Sequence, residues 1–64
     1  MFYGVNIMYY CAVKTRRSEP WIVKKCESMR RAWEYKKSMK SVDTLCWRSD
    51  DYYQRNVFVK KVRD

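Results

Sequence analysis

The sequence predicts an α+β fold in which one basic, amphipathic helix packs on a small, mostly antiparallel sheet. Three observations carry that expectation: a period-two run near the start, an apolar stripe at helical spacing in the middle, and two short alternating runs towards the end. At 64 residues the chain holds one domain (1–64) and one small core.

Residues 2–14 read as a long strand. Tyr3, Val5, Ile7, Tyr9, Cys11 and Val13 alternate onto one face, and Phe2, Gly4, Asn6, Met8, Tyr10, Ala12 and Lys14 onto the other, more mixed one. Residues 15–20 (TRRSEP) form the clearest break. The next segment admits two readings. In the favoured one a helix runs from about 19 to 40, capped by Ser18, with Pro20 in its first turn. Ile22, Cys26, Met29 and Trp33 then follow i, i+4, i+7, i+11 and would form the buried stripe. In the other, 20–26 is a strand that pairs with the first, and Ser28 caps a shorter helix over 29–40. The helix is preferred because Lys24 and Lys25 break a strand's alternation, and because 15–20 lacks a tight-turn glycine. Val42–Arg48 is a short strand, Ser49-Asp50-Asp51 a polar turn, and 53–62 a last strand. The element order is β-α-β-β, or β-β-α-β-β on the second reading.

Charge is the most pronounced feature. Fifteen Lys and Arg oppose seven Asp and Glu, a formal net charge of +8. Such an excess destabilises a compact chain by self-repulsion, which a polyanionic partner relieves. Three Trp, six Tyr and two Phe stand beside a single leucine, Leu45. Cations with aromatics are what holding phosphates and stacking bases requires, although with so few aliphatics most rings are needed in the core.

Catalysis finds little material. With no histidine there is no Ser-His or Cys-His pair. The single glycine excludes a phosphate-cradling loop. Asp43, Asp50 and Asp51 read as strand-end and turn residues. Cys11, Cys26 and Cys46 are too widely spaced, and without imidazole, for a zinc knuckle. They are expected as reduced, largely buried thiols in a cytoplasmic protein. No cofactor is expected. The longest uncharged stretch, 1–13, is too short to cross a bilayer as a helix, so no membrane partner is expected either.

A non-catalytic nucleic-acid-binding protein is therefore the first expectation, with RNA favoured because no helix-turn-helix or groove-reading dimer element is evident. The candidate phosphate contacts are Arg16 and Arg17 from the turn, Lys24, Lys25, Arg30, Arg31, Lys36 and Lys37 from the helix, and Arg48 and Arg55 around the C-terminal turn. Tyr52 and Tyr53 are candidate stacking residues. Trp47, beside them, is read as a core anchor. Part of the helix charge is expected to be neutralised internally, since Glu27 and Glu34 stand at helical spacing to Arg31 and Arg30. The alternative function is a small inhibitor whose basic helix docks on an acidic or nucleic-acid-handling protein. A homo-oligomer built on the edge of strand 2–14 is a third possibility.

In size, basicity and lack of histidine the chain resembles the small accessory proteins of large tailed phages. Stretches such as Trp33-Glu34-Tyr35-Lys36-Lys37 and Asp50-Asp51-Tyr52-Tyr53 fit that style. Some of those proteins inhibit host defence factors, including toxin endoribonucleases. The resemblance implies a non-catalytic binder acting on a nucleic-acid-handling partner and transfers no residue roles.

Overall fold

The computed structural model describes residues 7–63. The order is β1 (Tyr9–Lys14), β2 (Ile22–Cys26), α1 (Met29–Ser38), β3 (Asp43–Arg48) and α2 (Tyr52–Arg63). The architecture is α+β, as expected, but the order β-β-α-β-α matches neither pattern read from the sequence. The three strands form an antiparallel sheet in the order β2-β1-β3.

The first strand is shorter than expected. Ile7 and Met8 precede it, and the part of the predicted strand over 2–6 lies outside the described residues. Met8 is nonetheless tied down. Its N–H donates to Ser49 Oγ at 3.1 Å, and its carbonyl accepts from the Ser49 N–H at 2.8 Å. β1 is the central strand, paired on both sides, so the free edge postulated for it is occupied and the sheet's edges are β2 and β3.

The favoured helix over 19–40 is corrected to a strand followed by a shorter helix. Two local effects decide this. Ile22 and Val23 are β-branched and suit a pleated surface. Ser28 then caps α1, its Oγ accepting from the Arg31 N–H at 3.2 Å. The lysines that seemed to exclude a strand do not, because β2 is an edge strand exposed over Ile22–Lys25. A strand with no buried face over those positions has no alternation to display. Pro20 lies in the seven-residue connection from 15 to 21, where a missing N–H costs nothing. That connection is closed by the Glu19 N–H to the Arg16 carbonyl at 3.1 Å and by Thr15 Oγ1 to Glu19 Oε1 at 2.9 Å.

The predicted stripe of Ile22, Cys26, Met29 and Trp33 is not the core. Only Cys26 is buried. Ile22 lies on the open strand, and Met29 and Trp33 face outward. α1 instead turns Ala32, Tyr35 and Met39 towards the sheet, against Cys11, Val13, Cys26 and the flanking Tyr9 and Cys46. The helix ends with Ser38 Oγ and the Met39 N–H both donating to the Tyr35 carbonyl. Lys36 and Lys37 in its last turn complement the helix dipole.

The last predicted strand, 53–62, is a helix. Asp51 starts it, accepting from the Gln54 N–H at 3.1 Å through Oδ1 and from the Arg55 N–H through its carbonyl. Gln54, Val57, Phe58 and Lys61 follow i, i+3, i+4, i+7 and are the helix's half-buried positions. Val57-Phe58-Val59 has strand composition, but its burial follows a period of 3.6.

The pairing register places Tyr10, Lys25 and Trp47 on the face opposite Cys11, Lys24 and Cys46. α1 covers the cysteine face. On the other, Trp47 stacks on Tyr10 at 5.6 Å between ring centroids and on Phe58 at 5.0 Å, and Trp21 meets Phe58 edge-on at 5.3 Å. Lys61 adds an ion pair to Asp43 at 2.9 Å. The sheet is thus clamped between two helices, and Cys11, Ala12 and Val13 are all fully buried. Trp47 is buried as expected, as the anchor of a strand–turn–helix rather than of a hairpin. Among the described residues no helix is long and apolar enough to cross a membrane.

Candidate nucleic-acid interface

Because β2 runs into α1 through Glu27 and Ser28 alone, strand and helix lie side by side. Lys24, Lys25, Arg31 and Tyr35 line the groove between them, of about 520 Å³, with Glu27 and Glu34 on its walls. Lys24 Nζ lies 5.8 Å from the centroid of Tyr35, a cation–π contact that leaves the ammonium in solvent. Beyond Glu34, an adjoining hollow of about 500 Å³ is lined by Met29, Arg30, Trp33, Glu34 and Lys37. Lys36 Nζ lies 5.3 Å from the Trp33 ring centroid. Six of the ten predicted cations (Lys24, Lys25, Arg30, Arg31, Lys36 and Lys37) are therefore exposed on β2 and α1; Lys24, Lys25 and Arg31 line the groove and Arg30 and Lys37 the hollow, opposed there by Glu27 and Glu34, while Lys36 stands over Trp33.

Internal pairing removes little of this charge. Arg30 Nε lies 3.7 Å from Glu34 Oε2, with both side chains largely in solvent, where such a pair is weak and screened. The expected Glu27–Arg31 pair is not formed among the described residues: Glu27 precedes the Ser28 cap and is not on the helix.

The remaining candidates lie elsewhere. Arg16 and Arg17 are on the β1–β2 connection, where Arg17 lines a separate hollow with Lys14, Val42 and Asp43. Arg48 is engaged by Asp50 through two parallel hydrogen bonds, Nε to Oδ1 at 2.8 Å and Nη2 to Oδ2 at 2.5 Å. This fork lowers the pKa of Asp50 and raises that of Arg48 and occupies the guanidinium edge a phosphate would use. Tyr52, Tyr53 and Arg55 belong to the first turn of α2 on the other side of the sheet. Both tyrosines are exposed, and neither lines the groove beside α1.

The three aspartates form no catalytic cluster. Asp43 holds Lys61, Asp50 holds Arg48 and Asp51 caps α2. The hydrogen bond from Lys61 keeps the Asp43 carboxyl below the usual carboxylate range. Among the described residues no group of three or more Cys, Asp or Glu is placed to hold a metal ion.

Two exposed surfaces escaped the sequence reading. Trp33 and Met29, assigned to the core, are exposed beside cations. α2 carries Arg55, Lys60, Lys61 and Arg63 with no carboxylate, and Tyr53, Asn56, Val59, Lys60 and Arg63 share a hollow of about 420 Å³. The signal for α2 was present in Asp51 as a cap and in basic residues at the end of a 3.6-period segment.

Compared with known proteins, the chain matches no family model, no curated protein and no solved structure.

Proposed function

We propose that this protein is a non-catalytic nucleic-acid-binding module that holds RNA through the surface shared by β2 and α1. One observation carries the reading: five exposed cations from two adjoining elements, Lys24, Lys25, Arg30, Arg31 and Lys37, line a groove and the hollow that adjoins it at Glu34, opposed there by two carboxylates. Packing supplies no reason for that density, since the core is made by other residues. Phosphates would supply one, and affinity would come mainly from counterion release. RNA is favoured over DNA because α1 and α2 are separated by β3 and cover opposite faces, so neither supports the other as a groove-reading helix pair.

The test is a titration of labelled RNA over a range of salt concentrations. The logarithm of the binding constant should fall linearly with that of salt, by about 0.7 per phosphate neutralised on a single strand. The triple variant K24E/K25E/R31E should flatten that slope by about 2. Unchanged affinity in the variant would remove the groove from the reading.

A second reading is favoured by α2, where Tyr52, Tyr53, Val59 and Val62 are exposed between cations. Aromatic anchors among charges are what an acidic or nucleic-acid-handling protein partner would engage. On that reading the protein is a small inhibitor, and Y52A/Y53A rather than the groove variant abolishes its action.

A further inference from the structure

Trp33 has a placement that core packing does not explain. It sits in the middle of α1 beside Ala32, which is fully buried, yet 52% of Trp33 is exposed. A tryptophan left in water forgoes the largest apolar burial any side chain offers. Its surroundings are cationic: Lys36 lies over the ring at 5.3 Å, and Arg30 and Lys37 line the adjoining hollow with Met29. The indole thus has a cation over its ring and borders an open space of about 500 Å³.

We infer that Trp33 is a stacking platform for an unpaired base of single-stranded RNA, with Arg30, Lys36 and Lys37 holding the phosphates on either side of it. The inference rests on the RNA-binding reading above and deepens it by naming the form of RNA taken. Charge complementarity selects the occupant. A hollow rimmed by two cations beside a third, with Glu34 as its one carboxylate, suits a planar ring carried on a polyanion. A paired base is buried in its stack and cannot reach the indole, so the surface discriminates single strands from duplexes.

The test compares a labelled single-stranded oligouridine with a blunt RNA duplex of equal length, on the full chain at fixed salt, for wild type, W33F and W33L. Wild type should prefer the single strand. W33L should bind it roughly 5- to 150-fold more weakly with an unchanged salt slope, because no phosphate contact is removed. W33F, which keeps an aromatic face, should retain most of the affinity. Thermal melts of both variants should match wild type, since the side chain is half exposed.

Single-strand affinity equal in W33L and wild type would overturn the inference while leaving RNA binding intact. That outcome would give the hollow to a protein. Sedimentation showing a wild-type dimer that W33L dissociates would give it to a second copy of the chain and overturn the inference equally. Absence of salt-sensitive binding to either RNA would instead overturn the RNA reading itself, so the two failures are distinct.

Discussion

Cys46 and Cys11 face each other directly across the β1–β3 ladder, the Cys46 thiol donating to Cys11 Sγ at 2.7 Å. Cys26 completes a row of thiols on the face that α1 covers. Burial, and then the contact with Cys11, push the Cys46 thiol from an ordinary value near 9 up to about 12. Little thiolate is present near neutral pH, and the thiolate is the reactive form.

Cys46 should accordingly react slowly with iodoacetamide at pH 7–8, with a rate that keeps rising beyond pH 9 rather than levelling there. A folded-state pKa above that of the unfolded chain means that folding favours the protonated thiol. The contribution is complete below about pH 9 and is lost as pH rises towards 12. Urea denaturation of C46A should show a shallower loss of stability from pH 9 to 11 than wild type, and equal slopes would refute the assignment.

Removing the Asp43 charge should flatten the acid limb. The bond to Lys61 lowers the folded-state pKa of Asp43, so its contribution is present above the unfolded value of 3.8 and disappears as pH falls through the folded one. Both partners are more than a third exposed and screened by solvent, so D43N should cost only about 0.2–1 kcal/mol at pH 7. Denaturation of wild type and D43N should converge by pH 2–3.

Phe58 holds α2 to the sheet through Trp47 and Trp21. Phe→Ala substitutions in cores cost about 3–5 kcal/mol, and this half-buried ring belongs at or below the low end. In F58A, hydrogen exchange should accelerate across 52–63 before it does in β1. Uniform acceleration would mean that α2 and the sheet open as one unit.

Ser28→Ala should cost about 1 kcal/mol by removing the N-cap of α1. Far-UV circular dichroism should show lost helicity, whereas S18A should change neither quantity, because Ser18 lies on the β1–β2 connection and caps no helix.

What the sequence disclosed follows from where burial is one-sided. Asp43–Trp47 and the end of the first strand have partners to bury against, and their composition says so. β2 does not: an edge strand carrying Lys24 and Lys25 has nothing to bury over most of its length, and its helical spacing with Met29 and Trp33 was coincidental. Residues 53–62 failed for the opposite reason. Alternation and helical period agree over Val57-Phe58-Val59, and the capping role of Asp51 is hidden inside a stretch that also reads as a turn. The groove cations were identifiable as charged, but their convergence depends on β2 lying beside α1. Exposure of Trp33 follows from Ala32 and Tyr35 taking the inner side of the helix, a choice that composition argues against.

Clamping a three-stranded sheet between two helices concentrates the chain's intolerance to substitution in one place. An ordinary amphipathic strand alternates permissive and restrictive positions, but Cys11, Ala12 and Val13 are closed to water on both sides of the sheet. A saturation scan should find three consecutive positions where polar or enlarged side chains abolish accumulation of the protein. On β2, the neighbouring strand, nearly every residue should be exchangeable without loss of fold. Selection acting on β2 can then tune its charge freely, while the strand beside it cannot drift.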